Sequence, residues 1–209
     1  IGDLVIGALD GIITTFAIVA GVAGASLSSS VVLILGFANL FGDGCSMALG
    51  NYLSTKSERQ YGERERKREE WEIEQIAEGE REEIKQIYRK KGFEGKDLQK
   101  AVEIITSDKR TWVDTMMLEE LNTTLEEKSP SRSGLATFAA FVTVGLVPLL
   151  AYVAALLAPA LKPASFPIAV AMTFIAIFII GSARSYVIGK PWWKAGIEMT
   201  LVGGAAASV

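Results

Sequence analysis

Four stretches of this chain, at about 4–26, 31–53, 134–157 and 166–188, are apolar over the length of a bilayer crossing, and a shorter fifth occupies 195–209. A helix rises 1.5 Å per residue and satisfies its own backbone, so about 20 such residues cross the hydrocarbon layer. This pattern sets the fold class as all-α: a polytopic membrane protein with five transmembrane helices. Charge follows the same division. Residues 1–53 hold only Asp3, Asp10 and Asp43, and residues 133–209 only Lys162, Arg184, Lys190, Lys194 and Glu198. The stretch 54–132 therefore carries 20 of the 24 acidic and 17 of the 21 basic residues. The predicted organisation is 1–53 for spans one and two, 54–132 for a helical insert continuous with span two, and 133–209 for spans three to five.

Orientation follows from the short flanks. Lys56, Arg59, Lys128, Arg132, Arg184, Lys190 and Lys194 fall on one side if every run spans, against Lys162 alone on the other. The positive-inside rule then puts the N-terminus and the insert in the cytosol and the C-terminus in the opposite compartment. "GKPWWK" supplies interfacial tryptophans between spans four and five, and Ser165 is a candidate N-cap for span four. The lone Cys45 excludes a disulfide framework, and there is no histidine. The chain begins directly in an apolar helix without a leader-like charged segment, and its last apolar run stops at Val209, so both ends read as cut from something longer.

The insert reads as helices at about 54–78, 80–91, 95–105 and 108–122, punctuated by Gly79, the Gly92/Gly95 pair and the Thr106-Ser107-Asp108 cap signals. "GERERKREEWEIEQ" mixes both signs at close range, as solvated helices do.

Span two carries an expensive feature. Asn39, Asp43, Met47 and Asn51 are spaced four apart and share one helical face, beside a stripe of small residues at Ala38, Gly42, Ser46 and Gly50. A charge at the bilayer centre costs roughly 2.5–3.5 kcal/mol even on the lenient insertion scale, so Asp43 needs compensation. Span one offers Asp3, Gly7, Asp10 and Thr14 along one side. Asp43 could cap or kink its helix, or bond to a neighbour. Two acidic spans, a methionine one turn away and no basic partner deep in the membrane favour a cation route shared with protons.

"DGIITTFAIVAG" and "NLFGDGCSMALGNYLSTKSE", in that order and followed by an acidic helical insert, resemble the vacuolar iron transporter family, and the resemblance runs over essentially the whole chain. The plant members with a cytosolic metal-binding insert are the nearest in pattern. The resemblance implies proton-coupled export of ferrous iron from the cytosol into a vacuole, by a homodimer with its pathway at the subunit interface. It places Asp10, Asp43 and Met47 at pathway positions, which the polar stripe extends to Asn39 and Asn51. Asp43 and Met47 would then also ligate the ion.

The insert has two further carboxylate pairs, Glu69/Glu72 and Glu80/Glu83, each spaced i,i+3 and each without a lysine four residues on. The positions four after them are Ile73, Ile76, Ile84 and Ile87, so the pairs border apolar faces. Like charges at that spacing are destabilising without a partner. "WVDTMMLEEL" adds Met116, Met117 and Glu120 within one turn, where the methionines suit core packing and ligation equally. The resemblance assigns Glu69, Glu72, Glu80, Glu83, Met116, Met117 and Glu120 to metal binding. Carboxylates with thioethers and no imidazole or thiolate set argue against a dedicated zinc site and suit ferrous iron, manganese and similar ions.

The expected function is therefore a proton antiporter of ferrous iron, extending to manganese and other divalent metals, in a vacuolar membrane. Its partners are divalent metal ions, protons, the lipid bilayer and a second copy of the chain, with no nucleic acid and no resident cofactor. A passive divalent-cation channel is the alternative. A membrane-anchored ferroxidase is a third, weakened by the absence of histidine from any di-iron motif. No nucleotide-binding motif supports ATP-driven pumping.

Overall fold

A computed structural model of the chain describes residues 2–121 and 128–207, and among these there is no strand. The helices are α1 (Gly2–Gly24), α2 (Ser29–Gln75), α3 (Ala77–Lys90), α4 (Gly95–Thr106), α5 (Lys109–Glu119), α6 (Pro130–Gly145), α7 (Val147–Leu157), α8 (Ser165–Ile188) and α9 (Trp192–Ala207). They divide into two compact units: Ile1–Ser54 with Ser129–Val209, and Thr55–Lys128.

The first unit is built on close helix approach. The buried side of α1 includes Gly7, Ala8, Gly11, Ile12 and Thr15. A Cβ on Gly7 would sit 2.5 Å from the Thr137 carbonyl oxygen, and one on Gly11 only 2.4 Å from that of Phe141. The α1 and α6 backbones are thus nearly in contact, the packing that small residues permit between membrane helices. Around this seam Val19, Val22, Val32, Leu40, Phe141, Leu149 and Tyr152 form one core cluster, and Ile12, Ile177 and Met199 another. A Gly11→Ala protein should lose about 1–3 kcal/mol through overpacking. Gly21→Ala, where a Cβ meets nothing within 4 Å, should be neutral or slightly stabilising. Thermal unfolding in detergent, followed by circular dichroism, checks the contrast.

By length and composition, α1, α2 and the stretch Pro159–Ile188 can each cross a membrane, and α6 with α7 can do so together. The span expected at 134–157 is not straight: α6 and α7 meet at a 45° bend. Pro148 in the first turn of α7 lacks an N–H and crowds the preceding turn, which explains the break. With 16 residues, α9 is about 24 Å long, shorter than a full hydrocarbon crossing. The last two residues of the expected 195–209 run lie outside the described residues. Ser165 is not the cap of α8 but its first residue, and its hydroxyl donates to the Leu161 and Lys162 carbonyls.

In the second unit, Ile73, Ile84, Ile105, Trp112, Val113, Met116 and Met117 form the core. The chain breaks at Ile76 rather than at Gly79. Ile76 takes a non-helical conformation, and its carbonyl accepts the Gly79 and Glu80 N–H groups of the new first turn. Gly79 therefore sits inside α3, where an uncapped first turn tolerates it. Gly92 (φ +94°), in the turn after α3, and Gly95 (φ +54°), the first residue of α4, occupy the left-handed region, which other residues enter at a cost. Asp108 caps α5 by accepting from the Thr111 N–H at 2.8 Å. That helix ends at Glu119, and residue 122 of the expected range lies outside the described residues.

Candidate metal centre and transmembrane polar face

Along the apolar part of α2, Val32, Gly36, Leu40 and Gly44 face inward, with Gly36 against Leu149 and Gly44 against Phe138 and Phe141. The small stripe faces away. Ala38, Gly42, Ser46 and Gly50 are exposed, and a Cβ on Gly42 or Gly50 would meet nothing within 4 Å. Gly7 and Gly11 of α1, like Gly36 and Gly44 of α2, are thus used within the chain, whereas Gly42 and Gly50 of the small stripe meet nothing among the described residues.

Between these faces runs the polar stripe. Asp43 is exposed; Asn39, Met47 and Asn51 are half-buried, and Met47 packs against the core cluster. Asp10 on α1 is half-buried and close enough to Asp43 for the two charges to interact. The amide of Asn39 donates to Thr14 Oγ1 at 3.2 Å, and the Thr14 hydroxyl donates to the Asp10 carbonyl at 2.8 Å. Asn51 is tied elsewhere: its amide donates to Thr137 Oγ1 at 2.6 Å and to the Ser133 carbonyl at 3.3 Å, both on α6. Ser133 in turn donates to Asp3 Oδ2 at 2.5 Å. Asp10, Asn39 and Asp43 are therefore grouped, while Asn51 belongs to a clamp joining the middle of α2 to the beginnings of α1 and α6. An aspartate exposed on an apolar helix cannot be solvated by lipid tails and requires protein, water or an ion beside it.

In the insert, Glu69 on α2 and Glu80 on α3 are each only 3% exposed. Burial follows from the isoleucines four residues later, Ile73 and Ile84, which anchor the core. Ile76 does not share this role and is exposed at the helix break, while Ile87 packs at the core's edge. Burial, and then the charges of Glu120, Glu80 and Glu72, push Glu69 up to about 7. Burial, then Glu83, Glu72 and Glu120, do the same to Glu80. Glu120 is also raised, by burial and then by Glu83 and Glu72. These five carboxylates thus form one interacting group. Both buried glutamates keep an Oε2 atom with no hydrogen-bond partner, an expensive arrangement unless something else binds there. Among the described residues no three carboxylate or thiolate groups converge tightly enough to hold one ion. Glu72 is drawn instead to Arg68, whose Nε donates to its Oε1 at 3.0 Å.

Met116 and Met117 are fully buried within the core of the unit. Two participants escape the sequence reading. Glu65 is 5% exposed and accepts two hydrogen bonds from Arg64, at 2.7 and 3.0 Å. Arg68 bridges toward both Glu72 and Glu65. The signal was the i,i+4 step from Glu65 to Glu69, hidden in a run that looked uniformly solvated.

The VIT family model matches residues 1–209. The chain is similar to a protein of Toxoplasma gondii named vacuolar iron transporter, 40% identical over 99% of this chain and 70% of that one. It is also similar to vacuolar iron transporter 1 of Arabidopsis thaliana, 35% identical over 99% of this chain and 81% of that one. A Plasmodium falciparum protein named vacuolar iron transporter is 35% identical over 99% of this chain and 78% of its own length.

Proposed function

The chain belongs to the vacuolar iron transporter family, which moves iron across a membrane, and on that premise we propose that it is a proton-coupled antiporter carrying ferrous iron from the cytosol into a vacuole. The observation that carries this reading is the pairing of Asp10 with an exposed Asp43 on apolar helices. A carboxylate must lose its proton to bind a metal ion, so competition of both for one site couples their movement. Met47 would add a soft ligand, and Asn39 a neutral polar one. Manganese and other divalent ions fit the same donors. Asn51, tied to Thr137, would hold α2 against α6 beside the route rather than touch the ion.

The insert, residues 54–132, would gather metal on Glu69, Glu72, Glu80, Glu83 and Glu120, with Met116 and Met117 at the back of the cluster. The exposed stripe of Ala38, Gly42, Ser46 and Gly50 supports a homodimer, because small residues permit close packing and its two glycines meet no neighbour among the described residues. A second copy there would also enclose Asp43. Five crossings, with α9 as the fifth, put the N-terminus and insert in the cytosol and the C-terminus in the lumen.

Purified protein in liposomes should admit ferrous iron faster than protein-free vesicles, without consuming oxygen. Oxygen uptake on adding ferrous iron would instead identify a ferroxidase. Light scattering in detergent should give twice the chain mass; an active monomer would refute the dimer.

A further inference from the structure

Arg68 lies at the edge of the acidic group in the insert. Its Nε donates to Glu72 Oε1 at 3.0 Å, and its Nη1 lies 3.8 Å from Glu65 Oε2. Its charge also acts on Glu69, Glu80 and Glu120, so one guanidinium addresses carboxylates on α2, on α3 and at the C-terminal cap of α5. It leaves the interior unsatisfied: the Oε2 atoms of Glu69 and Glu80, in residues 97% buried, have no hydrogen-bond partner. Glu65 does not depend on it, being held by both Arg64 bonds.

We propose that Arg68 is a built-in competitor of the metal ion: it holds Glu72 through an ion pair that an incoming divalent cation must displace, and so sets the concentration at which the insert fills. The inference rests on the reading of the insert as a metal-binding unit. A divalent ion has twice the charge, and it would be met by the orphaned oxygens of Glu69 and Glu80 and by Glu72 once that side chain turns from Arg68. The guanidinium cannot lose its proton, so its competition persists at every working pH. Its side chain is 63% exposed, and an exposed ion pair is weak enough to open. Release of Arg68 frees Glu72 to turn toward the ion, as ligation requires.

The test uses the full chain in detergent and Co2+ as probe, scoring by calorimetry the binding that a Glu69→Ala/Glu80→Ala background removes. Arg68→Gln should bind Co2+ about threefold or more tighter than wild type. Arg68→Lys, which keeps the charge, should stay within about twofold. Arg59→Gln removes the same charge from the exposed Arg59–Glu63 pair and should also leave binding within about twofold. Weaker or unchanged binding in Arg68→Gln, with helicity intact, would make Arg68 a mere support for Glu72 and overturn the proposal. A wild type with no binding attributable to Glu69 and Glu80 would overturn the metal-binding reading itself.

Discussion

Asp43→Asn should abolish ferrous uptake, by about a hundredfold or more, while the protein still folds and migrates on gel filtration as wild type does. Asparagine keeps the shape and the hydrogen-bonding capacity of the side chain. It removes the charge and the exchangeable proton together. If Asp43 were only a local cap or kink, the amide would serve nearly as well. It is exposed on α2 beside a small-residue stripe and within charge range of Asp10, and its carboxylate holds no hydrogen bond among the described residues. Loss of an intramembrane charge lowers the cost of insertion, which protects folding. Asp10→Asn should behave similarly. Met47→Leu conserves volume in the core but deletes the thioether, so it should impair ferrous iron more than magnesium. Uptake into liposomes, scored beside a gel-filtration profile for each variant, checks the set. A well-folded Asp43→Asn protein transporting at the wild-type rate would return this residue to a structural role.

Glu69→Ala/Glu80→Ala should weaken metal binding at the insert by at least about tenfold. These residues supply the only deeply buried carboxylates there whose oxygens lack a partner among the described residues. The dependence on pH has a definite sign. Both groups are raised from 4.5 to about 7 in the fold, so the folded insert holds more protons than the unfolded chain between those values. Their contribution to stability without metal is therefore most favourable below about pH 4.5 and is lost as pH rises through 7. Metal takes the deprotonated form and reverses the trend. Calorimetry with Co2+ should show affinity dropping steeply as pH is lowered from 8 to 6. Affinity that is flat over that range, or unchanged in the double variant, would show that the ion binds elsewhere.

How far these features could be read from the chain depends on the range of the interactions behind them. Apolar length located the long helices of the first unit, because backbone satisfaction in lipid leaves few alternatives. The break between α6 and α7 was missed, since Pro148 sits in an otherwise unbroken apolar run that hydropathy alone reads as straight. Gly79 looked like a helix breaker, but Ile76 takes that place and glycine is tolerated in the first turn of α3. The burial of Glu69 and Glu80 was foreshadowed by Ile73 and Ile84, a local i,i+4 relation. Tertiary pairings were not legible in this way. Periodicity put Asn39 and Asn51 on one stripe, yet one bonds to α1 and the other to α6. Likewise no spacing rule distinguishes Arg68 from the neighbouring arginines of "ERERKREE"; only the fold of α3 and α5 around α2 does.

The central claim is exchange of iron for protons, and simultaneous measurement of both tests it most directly. Liposomes containing the protein, an acidic interior and trapped reporters of pH and ferrous iron should accumulate iron above the external concentration, and their interior should become more alkaline as iron enters. Dissipating the pH gradient beforehand should remove the accumulation and leave only slow equilibration. Iron that merely equilibrates under an intact gradient, with no proton movement tied to its entry, would contradict the account and identify a passive channel.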